Sequence, residues 1–202
     1  TCFRRGREIG GEPEAVVRRR EAAAACRILG ATPKFFPYAH TEILHSSPEV
    51  LETVSSWLTE IQPDIVVTHW PLDSHWNHLA TSSLVWQCYR RRGGWNLYFF
   101  EVMTDQQTQV FDPDLYLDIE SVRAIKKQAC ESHRSQHPEQ FWPVHEQMHR
   151  RRGLECGVRY AEAYRLAEAK PGGALLPVRF LAPASSTKSE GPRAGARLPG
   201  PF

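Results

Sequence analysis

The densest run of chemically capable side chains extends from Pro63 to His78: Pro-Asp-Ile-Val-Val-Thr-His-Trp-Pro-Leu-Asp-Ser-His-Trp-Asn-His. Imidazole is the commonest protein metal ligand and titrates near neutral pH. His69, His75 and His78, with Asp73 among them, could therefore hold a metal or move a proton. By itself the His-x-x-His spacing equally describes a loop whose histidines only cap and hydrogen-bond. The preceding residues favour the functional reading. Positions 65–68 form a short β-branched apolar run, the pattern of a buried parallel strand. Open α/β sheets bind ligands just beyond the carboxyl ends of such strands.

The surrounding pattern supplies the elements such a loop needs. A helix is expected over 13–29, with Val16, Val17, Ala24, Ile28 and Leu29 inward and Gly30 ending it. A short strand follows at 34–36. Ser46-Ser47-Pro48-Glu49 reads as a capping box opening a helix to Ile61, with Val50, Leu51, Val54, Trp57, Leu58 and Ile61 at helical spacing. After the histidine loop come a helix over 79–91, a strand over 97–102 and a strand over 116–119. A helix over 121–132 should turn Val122, Ile125 and Ala129 inward. A last helix starts at Pro143, is interrupted near Gly153 and Gly157, and ends around Glu168. Strands alternating with helices imply a doubly wound α/β sheet. Residues 1–169 read as one domain, and the Pro/Gly/Ser-rich stretch 170–202 as a largely disordered tail with a short docked piece at 175–181.

Composition narrows the class. A net charge of +2 is too mild for a nucleic-acid binder. The clusters Arg90–Arg92 and Arg150–Arg152 read as solvated helix faces or ends. Five widely spaced cysteines with no Cys-x-x-Cys pair fit a reducing, cytoplasmic compartment rather than a disulfide framework. No stretch is apolar for long enough to span a membrane.

Four landmarks together resemble the PIG-L/LmbE family of zinc-dependent N-deacetylases. They are Arg18-Arg19-Arg20-Glu21 leading to Leu29-Gly30, Pro63-Asp64 through His78, Tyr98 to Thr104 with Gln109, and Arg152-Gly153 with Tyr160-Ala161-Glu162-Ala163-Tyr164. The resemblance implies a Rossmann-like, mostly parallel sheet with helices on both faces, and hydrolysis of an N-acetyl group from an N-acetylglucosamine-type conjugate. It implies Zn2+ as cofactor, His78 as a zinc ligand and His75 as the group that protonates the departing amine. Arg18 matches the arginine that holds substrate polar groups, and Asp73 and Asn77 join it as expected substrate contacts. An amino-sugar conjugate is thus the expected partner, with a homo-oligomer as a further expectation.

Two departures accompany the match. Trp76-Asn77 stands where many members have Pro-Asp, although the glycosylphosphatidylinositol branch carries His-x-Asn-His. The family's opening strand ends in Ala-His-Pro-Asp-Asp-Glu, supplying two zinc ligands and a general base, and residues 1–202 contain no such segment. The expectation is a fold lacking its first strand, with Thr1-Cys2-Phe3 as the remnant of the second, that neither holds zinc tightly nor turns over substrate.

Two other readings compete. His145-Glu146-Gln147-Met148-His149 matches the helical His-Glu-x-x-His signature of zinc metalloproteases, with Glu155, Glu162 or Glu168 available as third ligand. Alternatively the domain is degenerate and binds sugar without catalysis. Trp70, Trp76, Tyr98 and Phe100 could then stack on a sugar ring, core packing being the simpler role for Tyr98 and Phe100. Glu101 and Asp105 are candidate polar partners of substrate or of the histidines.

Overall fold

The computed structural model describes residues 6–38, 47–102, 110–169 and Gly172. The expected tail, its docked piece, Asp105 and Gln109 lie outside the described residues. The described residues open with a two-residue ladder, β1 (Glu8–Ile9) and β2 (Glu12–Pro13), leading directly into α1 (Glu14–Leu29). Then follow α2 (Pro48–Ile61), β3 (Ile65–His69), α3 (Trp76–Arg92), β4 (Asn96–Phe100) and β5 (Leu115–Asp118). Helix α4 (Arg123–Glu131), a 3-10 turn, α5 (Pro138–Cys156) and β6 (Ala161–Glu168) complete the described order.

Four strands form one sheet in the order β3-β4-β6-β5. β3 pairs with β4 in parallel, and β6 runs antiparallel to both β4 and β5. Three strands therefore share a direction, and β6 is reversed between two of them. Helices cover both faces, as expected for the class. Val50, Leu51, Val54 and Leu58 of α2 pack with Leu84 and Cys88 of α3 and Leu97 of β4. On the opposite face Lys126 of α4 pairs with Glu162 of β6.

Several local expectations are corrected. Residues 34–36 form no strand. Ser47 caps α2, its hydroxyl accepting the Val50 N–H, and Pro48 takes the first helical position where no N–H is needed. Helix α5 begins at Pro138 and runs through both Pro143 and Gly153. Helix α1 turns a different face inward from the apolar one expected: Val16 and Leu29 are 48% and 55% exposed, whereas Glu14 and Ala25 are buried. Glu14 pairs with Arg18, and Glu21 accepts from the N–H and hydroxyl of Ser135 at 2.7 and 2.6 Å. In α4, Ala129 is buried as expected, but Val122 and Ile125 are exposed.

The largest correction concerns 161–168, expected as the end of a helix and found as strand β6. Ala, Glu, Leu and Arg favour helices locally, but the segment also alternates. Ala161, Ala163 and Ala167 fall on one face, with Phe99, Tyr116 and Cys156 packed there, while Glu162, Tyr164 and Leu166 fall on the other. The small alanines leave room for those neighbours, and pairing on both edges overrides local propensity. The turn into β6 needs two glycines. Gly157 closes α5 at φ 80°, and a Cβ on Gly153 would lie 2.6 Å from the Val158 carbonyl oxygen.

Candidate active site

The histidine loop emerges from the carboxyl end of β3 and enters α3 one turn earlier than expected, so that Asn77 and His78 belong to its first turn. His75 is the helix cap, its Nδ1 accepting the Asn77 N–H at 3.3 Å. In the neutral ring the proton therefore sits on Nε2, on the opposite side of the imidazole. The Asp73 carboxylate organises the turn with both oxygens. Oδ1 accepts the His75 N–H at 2.7 Å and Oδ2 accepts from His78 Nδ1 at 2.8 Å. The Asp73 side chain has no solvent exposure, whereas that of His78 is 25% exposed. With Nδ1 donating, His78 keeps the lone pair on Nε2 for a ligand or a metal.

Three imidazoles form a row. His78 stacks between His69 and His75, with ring centroids 4.3 and 4.6 Å apart. His69, the last residue of β3, also rests on Phe100 at 4.8 Å, and its Nδ1 is buried without a hydrogen-bond partner. Burial, followed by the neighbouring His78, pushes the His69 pKa down to about 4, so this ring stays neutral around pH 7. The fold thus brings His69, Asp73, His75, Asn77 and His78 together. Arg18 pairs with Glu14 at 3.2 Å on α1, and its Nε is buried without a partner.

Residues 4–89 match a family model described as PIG-L, GlcNAc-PI de-N-acetylase. Solved structures agree on the fold. A conserved protein from Thermus thermophilus aligns with a TM-score of 0.64 at 22% identity, over 83% of this chain and 79% of that one. The N,N'-diacetylchitobiose deacetylase from Pyrococcus horikoshii aligns at 0.64 and 25% identity, over 75% of this chain and 63% of its own length. The A40926 pseudoaglycone deacetylase aligns at 0.61 and 19%, over 81% and 76% of the two chains. Over residues 4–89 the chain is similar to the PIG-L family, and its fold is that of these deacetylase structures. No curated protein matches it by sequence.

The His-Glu-x-x-His segment, outside the matched residues, has other partners. His149 is wholly buried in α5, and its Nε2 lies 2.8 Å from Lys126 Nζ. An ammonium can only donate, so that lone pair is taken. Burial, then Lys126, pushes the His149 pKa down to about 4. Glu146 is paired with Arg123, and Glu162 with Lys126 and the Tyr164 hydroxyl. The protease geometry is absent among these described groups.

Sequence reasoning missed the role of Arg152, expected on a solvated face. It is 2% exposed and forms a fork with Glu101, Nε to Oε1 at 2.5 Å and Nη2 to Oε2 at 2.7 Å, while Nη1 donates to Glu155. A conspicuous acid at a strand end was the available signal. Glu101 secures the exit of β4, next to a cavity of about 210 Å³ bounded by Val67, Phe100, Lys126, His145 and Tyr164.

A catalytic zinc centre needs three protein ligands and an open position. Among the described residues no three His, Cys, Asp or Glu side chains are arranged to hold a metal ion. The carboxylate-oriented imidazole of His78 is suited to be one ligand. The described residues therefore fit one arm of a metal centre and not a complete one.

Proposed function

We propose that this protein is an N-deacetylase, a hydrolase of amide C–N bonds that removes an acetyl group from an N-acetylglucosamine-type conjugate. The observation that carries the reading is the Asp73-bridged turn. One buried carboxylate fixes the backbone of His75 and the ring of His78, at a strand end where α/β folds bind ligands. The family match over 4–89 supports the same reaction class.

In the proposed reaction water adds to the amide carbon, the C–N bond breaks, and acetate and the free amine leave. His75 supplies the amine's proton from Nε2 and regains the one that the added water releases, a role usually worth about 10²–10⁴-fold in rate. His78, its Nδ1 held by Asp73, keeps the Nε2 lone pair that a metal ion would take. Asn77 and Arg18 are assigned to substrate hydroxyl groups. Zinc belongs to the proposal as an ion to which His78 contributes one donor. No described helix is long and apolar enough to cross a membrane.

The test measures free amine and acetate released from methyl N-acetyl-β-glucosaminide. Release should disappear in His78→Ala while the fold, followed by circular dichroism, persists. Full activity in that variant, or activity that depends on His149 instead, would overturn the assignment.

A further inference from the structure

Of the chain's six tryptophans, Trp57, Trp70, Trp86, Trp95 and Trp142 each contact another aromatic ring. Trp76 takes part in none of the described ring contacts and is 72% exposed. It occupies the first position of α3, immediately after the cap His75 and two residues before His78. Its indole is therefore open to a ligand that reaches the turn carrying His75 and His78.

Taking the deacetylase reading as its basis, we infer that Trp76 is the platform on which the sugar ring of the substrate lies. Trp76 directly follows His75 and opens the helical turn that carries His78, so its indole belongs to the same turn as both imidazoles. The axial C–H groups of a pyranose form a flat, weakly positive face, and the indole offers a negative one. The contact engages the ring that bears the acetamido group and leaves the acetyl group to His75 and His78. Trp76 is thereby a specificity residue that selects cyclic over open-chain amides.

The experiment uses the protein carrying 5-fluorotryptophan, with the Trp76 resonance identified by its loss in Trp76→Phe. Methyl N-acetyl-β-glucosaminide should move that resonance, and N-acetylethanolamine, the same amide without the ring, should leave it in place. Trp76→Ala should raise KM for the glucosaminide about tenfold with kcat within about twofold, and Trp76→Phe should recover most of the loss. Acetate release with an unmoved Trp76 resonance, or equal shifts with both amides, overturns the platform and leaves the deacetylase reading intact. A glucosaminide-dependent shift without any acetate release keeps the sugar contact and removes the catalytic reading. Neither shift nor release removes both.

Discussion

Two histidine pairs in this molecule are built from the same residue types and end in opposite states. His75 and His78 lie on an exposed first turn, where Asp73 occupies one nitrogen of His78 and leaves the other open. His145 and His149 lie along α5, where Lys126 takes the His149 lone pair and Arg123 takes Glu146. As a motif the second pair is the more specific in sequence, yet its groups are spent on internal pairing. What distinguishes a site from a motif is which atoms remain unsatisfied after folding, and that depends on neighbours distant in the chain.

The contrast is tested most forcefully at His149. Truncation to alanine leaves Lys126 without its acceptor and a void in a fully buried position. It should cost about 2–4 kcal/mol in urea unfolding, with the activity of each folded molecule unchanged. A loss of activity at unchanged stability would reverse the roles given to the two pairs. Asp73→Asn probes the other side. The amide preserves shape but cannot anchor a donating Nδ1 as a carboxylate does, so activity or metal affinity should fall about 10–100-fold with little loss of stability. An unaltered rate would remove Asp73 from the mechanism.

The third test is one of pH. His69 and His149 have folded-state pKa values pushed down to about 4, from an ordinary 6.5. Above pH 6.5 both states hold these rings neutral and nothing is lost. Below it the unfolded chain binds protons that the folded one refuses, so stability declines from about pH 6.5 down to about pH 4. Lys126, Arg123 and Glu162 face His149, and Asp73 and His78 face His69, so the two contributions separate by mutation. Melting temperatures of His149→Phe and His69→Phe against pH should each show a shallower decline than wild type. An unchanged profile in both would dismiss the buried-imidazole explanation.

Much of this was legible in sequence where the cause is local. The 65–68 run, α2 and the carboxyl-end position of the histidine loop follow from β-branching, capping and periodicity. The Asp73 bridge was legible only as residue types, because its geometry depends on α3 starting at Trp76. Arg152 and β6 were misread for one reason. Their state is set by partners far away in the chain, Glu101 in one case and Phe100 and Leu115 in the other.

The reversed strand has a consequence for how the molecule comes together. Residues 161–168 are composed of helix formers, and while the rest of the chain is disordered nothing in their immediate neighbourhood opposes a coil-to-helix drift. Only with β4 and β5 on its two sides does the extended form gain both ladders. Residues 161–168 thus act as a keystone, held by long-range pairing on both edges, that joins the half of the sheet carrying the histidine loop to the half carrying β5.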